Sequence, residues 1–481
     1  MSPDIESFAV NRRAFLGSYA GAIGSLALAQ ILGNSRASYA ATTASSAVGS
    51  AAMGSPALPA GGKAKAVICL FQNGGASQMD LFDPKPELAR YDGKPFPGGD
   101  LEVHFHEQKG NVLASPFKFR RSGNCGMELS EILPHTAGIA DDLTLVRSMC
   151  TESVDHEAAL RLIHSGKITP DRPVVGSWVV YGLGAEADNL PSYVVLSDPD
   201  GLPIDGVRNW SSGWLPAVHQ GTPFRAVGSP VLHLSTPKGT PATARRAQLQ
   251  FLDELNRAHL RRHAESSELE ARISNFEMAA RMQTAVPGVL DLSQETEDTR
   301  RMYGLDNKVT AEYGTRCLLA RRLIEKGVRY VQVFMSGQPW DTHAKNAENL
   351  RTLCARTDQP CAALVRDLKQ RGLLDSTVVL WTGEFGRQPI SQKGDGRDHN
   401  RLAFSLWLAG GGFKGGHVHG ATDDFAAKSV QDVVNVHDLH ATLFHTLGLD
   451  HRRLTYPHDG RNDSLTDFDV THAKVVAPLL A

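Results

Sequence analysis

The chain has 481 residues, 41% of them hydrophobic and 21% charged, which suits one large folded domain or two to three small ones. The formal net charge is −2 and the pI lies near 6.8, so bulk charge points neither to nucleic acid nor to an anionic membrane surface. The six cysteines form no CxxC pair or zinc-finger spacing, which excludes a cysteine-based metal module and leaves mostly buried free thiols as the expectation.

Read from the start, "NRRAFLGSYAGAIGSLALAQILG" pairs Arg12 and Arg13 with Phe15 and Leu16, then runs through small apolar residues to about Leu32. Small residues surround Ala37 and Ala40, as a signal peptidase requires. The run is too short and too broken by Gly, Ser and Gln to span a bilayer stably. It resembles a twin-arginine export signal over residues 1–40, which implies the twin-arginine machinery as a partner and a periplasmic or extracellular destination. Residues 41–64, rich in Ala, Gly and Ser, read as a flexible linker.

"KAVICLFQNGG" is a continuous apolar run ending at polar residues and paired glycines, the pattern of a buried parallel strand feeding a functional loop. "DDLTLVRSMC" and "PSYVVLSD" read as further strands, and Glu157–Gly166 as a helix stopped by glycine. Residues 243–285 form a long charged helical insertion, ended by Pro287 and expected to present a solvated face. "TRCLLARRLIEKGVRYVQVFM" is a helix, a glycine and a buried strand, and "PCAALVRDLKQRGLLDSTVVLWTGEFG" repeats that plan. Two such units imply a parallel sheet with crossover helices and an α/β fold.

Open α/β sheets bind ligands beyond the carboxyl ends of their strands, so the polar residues after those strands come first. Asp341 and His343 follow "YVQVF", Glu384 follows "VVLW", and Asp398 and His399 stand in "GRDHN". A carboxylate with neutral imidazoles is a donor set that zinc and other divalent ions accept. His417 and His419, two apart in a Gly-rich loop, are further candidates for substrate contact. His437, His440 and His445, on an apolar helix, read as satisfied or surface histidines.

"FQNGGASQMDLFDPKPEL", "WDTH", "GRDHN", "GGGFKGGHVHGATDD" and "DLHATLFHTLGLDH" together resemble the DUF1501 family, exported proteins placed in the alkaline phosphatase–sulfatase superfamily. The resemblance covers about 65–466, leaving 467–481 as a C-terminal tail. It implies a doubly wound, mostly parallel sheet with helices on both faces and one good metal site (zinc, manganese or calcium) built by Asp341, His343 and His399. It also implies a second site, degraded here. Asn73 stands where an acid is usual, and Glu384 is followed by Phe385 instead of an imidazole or amide, so Asp398 or Asp80 would have to compensate. No Cys-x-Pro-Ser-Arg or Asp-Ser-Ala nucleophile motif is present. His156, at a helix start, and Ser77, in "GGAS", are the candidates for nucleophile or acid–base, with Lys85 and Arg387 as candidate partners of an anionic group. The expected substrate is a small-molecule or polysaccharide ester of sulfate or phosphate; a non-catalytic binding protein on the same fold is the alternative.

Overall fold

A computed structural model describes residues 62–104, 106–225, 241–262 and 267–481. The expected export signal and nearly all of the expected linker therefore lie outside the described residues. The core is a nine-stranded sheet. Its strands, in chain order, are β1 (Ala66–Phe71), β2 (Leu143–Cys150), β3 (Tyr193–Ser197), β4 (Thr222–Arg225), β5 (Tyr330–Val333), β6 (Thr377–Thr382), β7 (Phe404–Ala409), β8 (His417–His419) and β9 (Val434–Asn435). Their spatial order is β8-β2-β7-β6-β1-β5-β3-β4, with β9 also pairing β2. All pairings are parallel except those of β7, which runs antiparallel to both neighbours. The sheet is thus mostly parallel, as the repeated helix–glycine–strand plan implies.

Both faces are covered, and strand alternation assigns the residues to them. Ile68 and Leu70 of β1 pack with Leu318 and Leu364, on helices α4 (Ala311–Glu325) and α5 (Asn346–Gln370). Val67, Cys69 and Phe71 point the other way, against Leu160 of α1 (His156–Ser165), Trp178 and Leu439. At about 25 cal/mol per Å² such two-sided burial is the main stabilising term. It also fixes the register, because a one-residue slip of β1 would exchange the two faces.

The charged insertion is two helices, α2 (Ala242–Arg262) and α3 (Ser267–Leu290), and Pro287 lies inside α3 instead of ending it. Pro287 sits close to the carboxyl end of α3, where the hydrogen bond lost to its missing N–H weakens little of the helix. The C-terminal tail is packed: Ala473, Val476 and Leu479 are buried, and Leu480 bridges to Phe413. All six cysteines are free thiols; Cys125 is exposed and Cys150 half-buried.

Candidate metal centre

The carboxyl ends of β1, β5 and β6 converge, and a short hairpin closes over them. This hairpin pairs Gly386–Gln392 with Gly396–Asn400 and sets Arg387 opposite His399. After β1 the chain turns through Gly74, whose φ is +112° and where a Cβ would stand 2.5 Å from the Asp341 nitrogen. A side chain there would be strained and would clash with backbone, so only glycine lets this loop run beneath Asp341. Asp155 caps α1 by accepting from Ala158 N at 3.0 Å, which presents His156, the helix's first residue, to the same place.

Three imidazoles face one carboxylate. Asp341 Oδ1 lies 3.1 Å from His399 Nε2 and 3.1 Å from His343 Nε2, and Asp341 Oδ2 lies 3.5 Å from His156 Nε2. The opposite ring nitrogen of each is engaged. His399 Nδ1 meets Val154 O at 2.6 Å, His156 Nδ1 meets Glu384 Oε1 at 2.7 Å, and His343 Nδ1 meets Gln392 Oε1. Gln392 donates its Nε2 to Gln108 Oε1 at 2.7 Å, which keeps its own Oε1 as the acceptor for His343.

This pattern fixes tautomers. A carbonyl can only accept, so His399 places its proton on Nδ1, and Gln392 does the same for His343. Burial lowers the pKa of His399 to about 4, against the raising effect of Asp341. Burial also lowers that of His343, over the raising effect of Gln392. Both rings are therefore neutral at pH 7, and both turn an Nε2 lone pair toward one carboxylate oxygen. Lone pairs facing a carboxylate at hydrogen-bond distance repel unless a cation is shared among them. Imidazoles oriented by an acceptor on the far nitrogen are how metal-binding histidines are held. The residues present fit a divalent ion, and the nitrogen-rich donor set suits zinc better than calcium.

His156 behaves differently. Burial works against its protonation, but the carboxylates of Asp341 and Glu384 outweigh burial and raise its pKa to about 9. Asp341 is held well below the usual carboxylate range: burial opposes this, and His156 and Arg387 prevail. The centre opens to solvent on one side. The side chains of His156 and His399 keep 10% and 4% of their exposure, whereas Asp341 and His343 keep 19% and 22%.

Among the other expected residues, Glu384 is fully buried and accepts from Gly74 N at 2.8 Å as well as from His156, so it orients His156. Asp398 accepts from His104 N at 2.8 Å and groups with His343 and His399 as one set of closely spaced ligand atoms, while His156, Asp341 and His399 form another. Asn73 donates to Met335 O at 2.7 Å and Gly337 O at 2.9 Å, leaving its Oδ1 buried without a protein partner. Phe385 fills the place beside His156 and His399, with ring centroids 4.8 and 4.6 Å away.

Several expectations are corrected. Arg387 is fully buried, with its guanidinium on the carbonyls of Gly75, Gly74, Trp340 and Arg397 and 2.7 Å from Asp341 Oδ1, so it has no face for an anionic substrate. Ser77 is fully buried and donates to Asp80 Oδ2 at 2.6 Å, inside a network where Arg397 grips Asp80 at 2.7 and 3.0 Å. That engagement makes Ser77 structural and denies Asp80 to a metal. Lys85 pairs with Asp83 at 3.1 Å. His417 and His419 stand opposite Thr144 and Val146, on the outermost strand and toward the amino end of β2, away from the centre. Gln392, the Val154 carbonyl and His104, whose ring stacks 5.3 Å from that of His399, were not visible as site groups, because nothing in their sequence neighbourhoods distinguishes them.

The family model described as "Protein of unknown function (DUF1501)" matches residues 64–480. The chain belongs to this family. No curated protein matches it in sequence. Among solved structures, DUF1501 here is similar to the lipoteichoic acid synthase LtaP from Listeria monocytogenes, with 9% identity and a TM-score of 0.36 over 85% of this chain and 76% of that one. It is also similar to the PsFucS1 sulfatase from Pseudoalteromonas sp., with 11% identity and a TM-score of 0.36 over 87% and 72%. A third similar structure is the alkaline phosphatase from the Antarctic bacterium TAB5, with 11% identity and a TM-score of 0.32 over 80% and 98%. Likeness this distant leaves the chemistry of this chain to be argued from its own residues.

Proposed function

We propose that this DUF1501 protein is an exported, metal-dependent hydrolase of sulfate or phosphate esters. The observation that carries the reading is the pair of neutral imidazoles, His343 and His399, turning their Nε2 lone pairs to one Asp341 oxygen. Asp341, His343 and His399 would hold the metal. When bound, a divalent ion supplies Lewis-acid polarisation of a phosphoryl or sulfuryl oxygen. His156 would serve as general acid: Glu384 holds its Nδ1 and leaves Nε2 as the position from which a proton can pass to a leaving oxygen. Phe385 would exclude water from one side of that position. The partly exposed edges of Asp341 and His343 give the direction from which an ester, small or part of a polysaccharide, would arrive.

One observation favours a second reading, a binding or scaffold protein without catalysis. Arg387 already neutralises Asp341 at 2.7 Å, and the one hydroxyl proposed as nucleophile is engaged elsewhere. Metal analysis of the purified full-length protein by elemental mass spectrometry, beside Asp341→Ala/His343→Ala, separates the two. About one zinc or manganese per chain, lost in the variant, together with turnover of aryl sulfates or phosphates abolished by His156→Asn, is the expected result. Absence of metal in both proteins after reconstitution would leave the scaffold reading. Export is tested by cell fractionation of wild type and Arg12→Lys/Arg13→Lys, the variant being expected to stay in the cytoplasm.

A further inference from the structure

Helix α2 is turned the wrong way round for a helix of a soluble domain. None of residues 243–262 is buried. Six positions are half-buried, Arg245, Leu249, Asp253, Asn256, Ala258 and Leu260, and all but Ala258 recur at helical spacing and form one face. That inward face is mixed and polar. Phe251, Leu252 and Leu255 instead lie outward, with 45%, 38% and 47% of their surface exposed, and Ala244 and Ala247 continue the stripe. An amphipathic helix normally buries its apolar stripe against the core, and this one presents it to solvent.

The charge of the helix says what would cover the stripe. Arg245, Arg246, Arg257, Arg261 and Arg262 stand against Asp253 and Glu254, so five positive charges less two negative leave +3 on α2, in a chain whose net charge is −2. Two copies of such a helix would repel one another. An anionic surface would attract it, and only an anionic surface with an apolar interior would also accept Phe251, Leu252 and Leu255. Leucine and phenylalanine on one side of a helix, arginines around the rest, and low overall hydrophobicity are the requirements for a helix that lies in a membrane interface without crossing it. No helix among the described residues is long and apolar enough to cross a bilayer. We propose that α2 docks the protein onto anionic lipid, with Phe251, Leu252 and Leu255 entering the acyl boundary and the flanking arginines meeting the phosphate headgroups.

The test is co-sedimentation of the full chain with vesicles of phosphatidylcholine containing a minority of phosphatidylglycerol, and with phosphatidylcholine alone. Hydrogen exchange is followed on the same mixtures. Expected are binding to the anionic vesicles that weakens with salt, and slowed exchange of the α2 amides when they are present. Phe251→Ser/Leu252→Ser/Leu255→Ser should lower the affinity by about tenfold or more, and Arg246→Gln/Arg261→Gln/Arg262→Gln should remove the preference for anionic lipid. The substituted side chains are exposed, and unchanged thermal unfolding would confirm that both variants fold. Vesicle-independent exchange in α2 would overturn the proposal even if the chain sediments, since binding would then lie elsewhere. A wild-type dimer that the serine variant converts to monomer would overturn it in favour of a second copy.

Discussion

Glu384→Gln is the most informative single change, because it keeps the shape of the site and removes one charge. In the metal-free protein the pKa of His156 rises from 6.5 to about 9 even though burial pulls it down. At about 1.4 kcal/mol per unit, the two carboxylates together supply at least ~3 kcal/mol in favour of the imidazolium. Asp341 and Glu384 share it, and Glu384 makes the shorter contact, 2.7 Å against 3.5 Å. The variant should therefore lower the His156 pKa from about 9. The amide also creates a conflict: with Oε1 kept for His156, its NH₂ faces the Gly74 N–H, which lies 3.1 Å from Oε2 in the wild type. A buried donor left unpaired costs ~1–3 kcal/mol, so the variant should also be less stable. The sign of the pH effect follows from the raised pKa. Stability from His156 is fully present below pH 6.5 and is lost as pH rises through about 9, and the variant should lose less over that interval. Histidine Cε1–H titration by NMR, assigned with His156→Asn, measures the first quantity, and urea unfolding below 6.5 and above 9 the second. A midpoint still near 9 in Glu384→Gln would refute the claim that Glu384 orients and charges His156.

Three further outcomes follow from the same contacts. Gln392→Leu removes the acceptor of His343 Nδ1 and should weaken zinc binding about 10- to 100-fold in chelator competition, with the fold unchanged. Arg397→Met leaves the fully buried Asp80 without its guanidinium and should cost ~3–5 kcal/mol in denaturant unfolding, part of it recovered in Asp80→Asn/Arg397→Met. Burial lowers the pKa of His164 and of His440 to about 3, so the unfolded chain takes up protons first and stability should fall as pH drops below 6.5. The slope is ~1.4 kcal/mol per pH unit for each ring, and His440→Gln should flatten the urea midpoint profile in that range.

The sheet was legible because β1, β5 and β6 are largely apolar runs of four to six buried residues, broken only by Gln332 and two terminal threonines, as strands covered on both faces tend to be. The convergence of Asp341, His343, Glu384 and His399 was legible for the same reason: once the strands are known to be parallel, the polar residues after them share one edge. What could not be read was the division of labour within that edge. Glu384 follows its strand as a ligand would, and only the contacts to Gly74 N and His156 show it as the group that holds a histidine. Arg387 looks in sequence like an exposed charge, yet four backbone carbonyls of glycine-rich loops need a donor, and it is the residue the hairpin register puts there. His417 and His419 carry the right chemistry at the wrong end of the sheet, a fact set by a pairing to β2 across more than two hundred and fifty residues.

The charges of the centre bear on how it would take up a cation. Asp341, Glu384 and Asp398 bring three negative charges, while Arg387 and a protonated His156 bring two positive ones. The metal-free site is thus one charge short of neutrality, which a divalent ion would overshoot to +1 if His156 kept its proton. Loss of that proton from the site restores balance, whereas its passage to Asp341, 3.5 Å from His156 Nε2, would leave the total at +1. Cation binding and release of the His156 proton are therefore coupled. Arg387 stays beside Asp341 in either state and weakens the hold of that carboxylate on cation and proton alike. A bound cation would make His156 the stronger acid that donation to a leaving oxygen needs, while Glu384 holds the imidazolium until then.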